Sequence, residues 1–169
     1  GTRVFVTHRL TDGSNRPLEV LFRFMENGGR LLLLSSGALK EAESCQYRTV
    51  PYNMGSIGNM GTVIHPHAAL GDFPHEGWCD LPFVPLIEGA YPMDLSAFRP
   101  TKIHPIIRSI GHHITMPDKA YLFEVAIGKG VLLACSLNLQ ALCQGHPAAR
   151  HLLRRMVEYL AGSKCRPRT

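Results

Sequence analysis

The segment Phe73–Phe83, FPHEGWCDLPF, gathers His75, Glu76, Trp78, Cys79 and Asp80 between two phenylalanines. Imidazole, thiolate and carboxylate are the donors that bind zinc. A histidine beside carboxylates is also a general acid–base set. Trp78, the only tryptophan in the chain, adds a broad amphipathic plate of the kind that stacks on sugar rings or anchors an interface. The candidate ligand-contacting residues are therefore Trp78, His75, Glu76 and Asp80. The spacing argues against a metal: His75 and Cys79 share a face only if helical, and His65 and His67 share one only if extended. His65 and His75 both adjoin prolines, and no closed zinc motif results. The expectation is a loop anchored in the core by Phe73, Trp78 and Phe83, with its polar residues pinning it by hydrogen bonds. No metal or cofactor is expected.

Other chemistry-bearing groups fare less well. Ser35 and Ser36 end the run RLLLLSSG, and functional groups gather beyond the carboxyl ends of parallel strands. A nucleophile elbow, however, needs small residues on both sides, and leucine stands where the first glycine should be. The glycine-rich GSIGNMG (55–61) lacks the Lys-Ser/Thr of a phosphate loop. His112-His113 reads as a polar loop before the strands that follow. A glycosidase needs two carboxylates about 5–9 Å apart. Glu76, Asp80, Glu88, Asp94 and Glu124 are available, but spacing brings no two together. Glu124 falls inside a strand, where capping an edge or pairing with a cation is its expected role. No catalytic residue is assigned.

The elements that must position these residues are legible from periodicity. TRVFVT (2–7) predicts a short buried strand. RPLEVLFRFMENGG places Leu18, Leu21, Phe22 and Met25 on one helical face, started at Pro17 and stopped at Gly28-Gly29. RLLLLSS (30–36) is a continuous apolar strand of the doubly buried kind. Strand, helix and strand at this spacing form a parallel βαβ unit. Residues 37–105 are loop-rich and read as an elaborated insertion. PIIRSI (105–110) predicts a strand. KAYLFEVAIGKGVLLACSLNL predicts two strands about the turn Gly128-Lys129-Gly130, with Tyr121, Phe123, Val125 and Ile127 on one face. HPAARHLLRRMVEYLAG predicts a helix with Leu152, Leu153, Met156, Val157 and Leu160 inward and Arg150, Arg154 and Glu158 in water. The fold class is α/β, one domain over 1–169, with a mostly parallel sheet, flanking helices and one late antiparallel hairpin.

Composition narrows the function classes. At 169 residues with 45% hydrophobic content the chain can bury a real core. A net charge of +5 is scattered, without the basic stripe of a nucleic-acid binder. No apolar run approaches the roughly 18–20 residues that span a bilayer. Partners among nucleic acids and membranes are therefore not expected. Five cysteines, an odd number without a CxxC pair, point to free thiols and favour a reducing, cytoplasmic setting.

The order of segments carries a resemblance. GGRLLLLSSG, HPHAALGDFPHEGWCDLPFVPLIEGA, KIHPIIRSIGHH, AYLFEVAIGKGVLLACSLNL and HPAARHLLRRMVEYL together resemble the flavodoxin-like, class I glutamine amidotransferase-like domain near the C-terminus of some bacterial glycoside hydrolase family 2, β-galactosidase-like proteins. ThuA-like domains share that architecture. The hairpin and the FP-H-E segment carry most of the likeness, which spans nearly the whole chain. The resemblance implies an accessory domain in a carbohydrate-active hydrolase, its partners being the other domains of a parent chain and a glycan near the 58–83 loops. An active amidotransferase would have a thiol on a G-x-C-x-G turn and a late His-x-Glu; neither stands here, so the domain itself is expected to be non-catalytic. For this fold the chain starts one strand–helix unit late, as part of a longer multidomain protein would. The resembled enzymes can be exported by signals outside such a segment. The alternatives are a free-standing ThuA-like protein of sugar metabolism and a small hydrolase using Ser36 or a His/Asp set.

Overall fold

The computed structural model describes residues 2–7, 16–34, 61–95, 102–110 and 118–166. The first unit is β1 (Val4–Thr7), α1 (Arg16–Glu26) and β2 (Arg30–Leu33), with β1 and β2 parallel in register from Val4↔Arg30 to Thr7↔Leu33. Gly28, at φ +87°, ends α1 in the left-handed region that side chains avoid. A side chain at Gly29 would occupy the space of the Phe24 ring. That ring explains one departure from the predicted stripe. Met25 is buried and Leu21 and Phe24 pack behind it, whereas Phe22 is 41% exposed; at about 100° per residue, Phe22 and Phe24 flank the Leu21–Met25 line on opposite sides, and the Phe24 side is the one that meets Gly29 and the core. β1 is not a buried strand: it forms the sheet edge, and Phe5 and Val6 are both largely exposed.

The remaining elements are β3 (Gly61–Ile64), a 3-10 turn (Leu81–Phe83), α2 (Val84–Ile87), β4 (Met93–Asp94), β5 (Ile103–Ile110), β6 (Lys119–Ile127), β7 (Gly130–Cys135), α3 (Leu139–Leu142) and α4 (Pro147–Ala161). They complete a seven-stranded sheet of order β1-β2-β7-β6-β5-β3, with β4 paired to β6. Among the described residues, parallel pairing is confined to β1–β2 and β2–β7. The other four pairings among the described residues are antiparallel, so the sheet is mixed and not mostly parallel. The loop-rich region 37–105 accounts for two of the four, β3–β5 and β4–β6, because it supplies β3 and β4. The β6–β7 connection is a two-residue turn in place of the predicted three-residue Gly128-Lys129-Gly130, because Gly130 already pairs with Ile127, and Gly128 at φ +56° meets the glycine-first requirement of such hairpins.

The sheet has two covered faces. Leu31, Leu33, Leu132, Ala134, Phe123 and Val125 pack against α1. Leu32, Val131, Leu133, Cys135 and Leu122 alternate to the opposite face, beneath Leu152, Met156 and Leu160 of α4. Tyr121 belongs to the α4 face, not with Phe123, because the β5–β6 register slips between Ile107↔Leu122 and Arg108↔Ala120. A bulge of this kind breaks the alternation that a regular strand would keep. Among the described residues no helix is long and apolar enough to cross a membrane.

Candidate functional site

The loop from β3 to α2 carries the sequence-predicted residues and is fastened at several points. His65 N donates to Ile106 O at 2.8 Å and Ile64 N to Gly77 O at 2.7 Å. Cys79 N donates to the Thr62 hydroxyl at 2.8 Å. Phe73 and Phe83 meet edge to face with centroids 4.9 Å apart, both buried. Outside, Arg155 of α4 grips Asp72 with two donors at 2.5 and 2.7 Å and reaches Glu158 at 2.7 Å; His151 lies 2.9 Å from Asp72. The Arg155 guanidinium holds the Asp72 carboxyl below the usual carboxylate range, and Arg154 and Arg155 do the same to Glu158. Gly71 and Gly77, at φ +59° and +94°, let the chain turn back between these fastenings.

Within that frame the residues of FPHEGWCDLPF part company. Cys79 turns inward and is buried; desolvation pushes its thiol up to about 11. Trp78 therefore points the other way and is 51% exposed. The predicted anchoring role is corrected: Phe73 and Phe83 hold the loop, and Trp78 is presented to solvent, as is Leu81, 84% exposed. His75 is half-buried, its Nδ1 accepting from Gly77 N at 3.2 Å, as expected of a loop-pinning residue. Glu76 is exposed. Asp80 is half-buried, and its Oδ1 meets no donor among the described residues. Among the described residues no group of three or more His, Cys, Asp and Glu is placed to hold a metal. Ser35, Ser36, residues 55–60, His112 and His113 lie outside the described residues.

A second polar cluster was not foreseen. Glu124, mid-strand in β6, faces α4 from inside the core and is 2% exposed. Tyr159 of α4 donates its hydroxyl to Glu124 Oε2 at 2.5 Å. His67 Nε2 stands 3.8 Å from the same oxygen, its ring edge to face with Tyr159 at 5.1 Å. His104 lies directly opposite Glu124 across the β5–β6 ladder. Cys165, buried just beyond α4, closes the cluster. Burial, then the hydrogen bond to Glu124, raises the Tyr159 pKa well above that of an ordinary phenol. Burial also raises Cys165, against the lowering influence of Arg30. Arg30 donates to the carbonyls of Leu160 and Gly162, tying β2 to the end of α4. The cluster thus joins sheet, loop and helix. Its sequence signal was a lone carboxylate in an apolar strand, YLFEVAI, since a buried acid needs partners. The partners come from Tyr159 and His67, which local spacing cannot reveal.

The family model described as Domain of unknown function (DUF8487) matches residues 15–169, so the chain belongs to that family. No curated protein matches the chain.

Proposed function

For this member of the family we propose a non-catalytic accessory role in a carbohydrate-active enzyme, with the Trp78 loop as its contact element toward a glycan and the neighbouring domains of a parent chain. The observation that carries the reading is the half-exposed indole on a loop fastened to the core on one side and to α4 on the other. An aromatic plate held in place before binding loses little entropy on contact. Glu76 and His75 beside it supply hydrogen-bonding groups suited to hydroxyls. The flavodoxin-like comparison is part of the same proposal. It is supported by the parallel β1–β2–β7 group with α1 and α4 on opposite faces, and the antiparallel β6–β5–β3 side is elaboration upon it.

The test is affinity electrophoresis through plant and bacterial polysaccharides, followed by calorimetry with oligosaccharides of any retarding polymer. Retardation that falls about tenfold in affinity in Trp78→Ala, the scale of one well-used contact, is the expected result. Turnover of aryl glycosides or simple esters by the purified chain, abolished by His75→Ala, would instead establish an enzyme. Absence of retardation on every polymer, together with no association with carbohydrate-active domains, would remove the reading.

A further inference from the structure

We propose that the carboxyl ends of β2 and β7 form a binding site for a small, uncharged, hydroxyl-rich molecule, a monosaccharide or an alditol. The site is built from segments other than the Trp78 loop and does not depend on the accessory reading. A cavity of about 340 Å³ opens there, within the range of small-ligand pockets. It lies beyond the carboxyl ends of two adjacent parallel strands, where open α/β sheets place their ligands.

Its lining sets the ligand chemistry. Leu34 and Leu137 give it aliphatic walls, and Tyr91, Ser136, Asn138 and Gln140 give it hydroxyls and amides. Among the described residues, the Tyr91 phenol is the one ionisable side chain in the lining. A charged ligand would lose its hydration against these neutral groups, none of which offers a counter-charge, and an apolar one would leave amides and hydroxyls unmatched. A neutral polyol meets both conditions.

The walls are also fixed in advance. Asn138 donates its side-chain amide to Glu88 O at 2.6 Å and its backbone N–H to Leu86 O at 2.8 Å, which joins the turn after β7 to the end of α2. With Nδ2 so engaged, Oδ1 is oriented as an acceptor. Ser136 is held by its backbone N–H on Tyr121 O at 2.8 Å, while its hydroxyl makes only a long 3.5 Å approach to the same carbonyl. The hydroxyl is therefore available to exchange that weak contact for a better one.

Saturation-transfer NMR and calorimetry on the full chain test the site, with glucose, galactose, xylose and sorbitol as neutral probes and glucose 6-phosphate and gluconate as charged controls. Each probe is titrated to about 10 mM, near the weak limit for so small a ligand. The expected result is saturable binding of at least one neutral probe and weaker or no binding of its charged counterpart. Ala141→Trp, which fills the cavity from α3, should abolish the binding, and Ser136→Ala and Gln140→Ala should each weaken it, while Trp78→Ala leaves it unchanged. Melting curves confirm that each variant is folded, and the two smaller substitutions decide the matter if Ala141→Trp is not. Failure of every neutral probe, preference for a charged probe, or binding indifferent to the cavity substitutions would overturn the proposal. Loss only in Trp78→Ala would assign the sugar to the loop instead.

Discussion

The two faces of the sheet, one packed against α1 and the other against α4 with α2, α3 and the 65–83 loop, are built on different principles. Under α1, among the described residues, Met25, Leu31, Leu33, Phe123, Val125 and Leu132 form an apolar cluster. Under α4 the buried interior also contains Glu124, Tyr159, His67 and Cys165. The first arrangement draws its stability from burial, about 25 cal/mol per Å² of apolar surface. The second adds a directional constraint, because a buried carboxylate is tolerated only with its donors in place. The difference implies that the α1 face supplies strength and the α4 face supplies register: β6, the 65–83 loop and α4 fit together in the one arrangement that satisfies Glu124.

Four experiments break or sharpen this contrast. The largest effect is expected on the apolar side, where Phe123→Ala should cost about 3–5 kcal/mol in denaturant unfolding by lost burial and an unfilled cavity. On the polar side, Tyr159→Phe should cost about 1–3 kcal/mol, since it removes a donor and leaves a buried carboxylate less well matched. A combined Glu124→Leu, Tyr159→Phe and His67→Phe replacement should recover most of that loss. If the triple variant is as unstable as the sum of its parts, the cluster is a source of strength and the contrast fails.

The third experiment uses pH. Tyr159, Cys79, Cys135 and Cys165 all belong to the α4-face cluster and all have raised pKa values, the Cys79 and Cys135 thiols to about 11 and about 12 through burial. In the unfolded chain these groups ionise nearer their ordinary values of 9.0 for the thiols and 10.0 for the phenol. Their contribution is therefore complete below about pH 9 and is lost as pH rises through the folded values. Urea midpoints should fall between pH 8 and pH 10.5. Tyr159→Phe and Cys135→Ala should flatten that slope, and Phe123→Leu on the other face should leave it unchanged. The smallest effect is expected at the surface. Arg155→Ala should leave the denaturation midpoint nearly unchanged, because Asp72 is solvent-exposed and its ion pair is screened. It should nevertheless loosen the loop, measured as a lower steady-state anisotropy of Trp78 fluorescence.

What the sequence disclosed follows the same division. The βαβ unit, the β6–β7 hairpin and α4 were legible because their signals are local: apolar periodicity, a glycine turn, and Pro147 and Gly162 at the ends of α4. Glu124 was visible as an anomaly, but its partners stand 35 and 57 positions away. Trp78 was misplaced because only the inward turn of Cys79 decides which way its neighbour points. Tyr121 was misassigned because a bulge depends on the register of the partner strand. β3 and β4 were hidden because strands this short acquire their identity from the edges they pair with.

β2 and β7 lie side by side, yet about a hundred residues of chain separate Arg30 from Val131, its partner in the ladder. That separation has a kinetic consequence. The β6–β7 hairpin closes across two residues and can form early, whereas the parallel seam between β2 and β7 must wait until most of the chain has been gathered in, which makes it the slow step of assembly. Until that seam closes, Leu31, Leu32 and Leu33 remain unpaired on an open strand edge. Aggregation during refolding should therefore originate at this run and lessen when the chain is refolded dilute and cold.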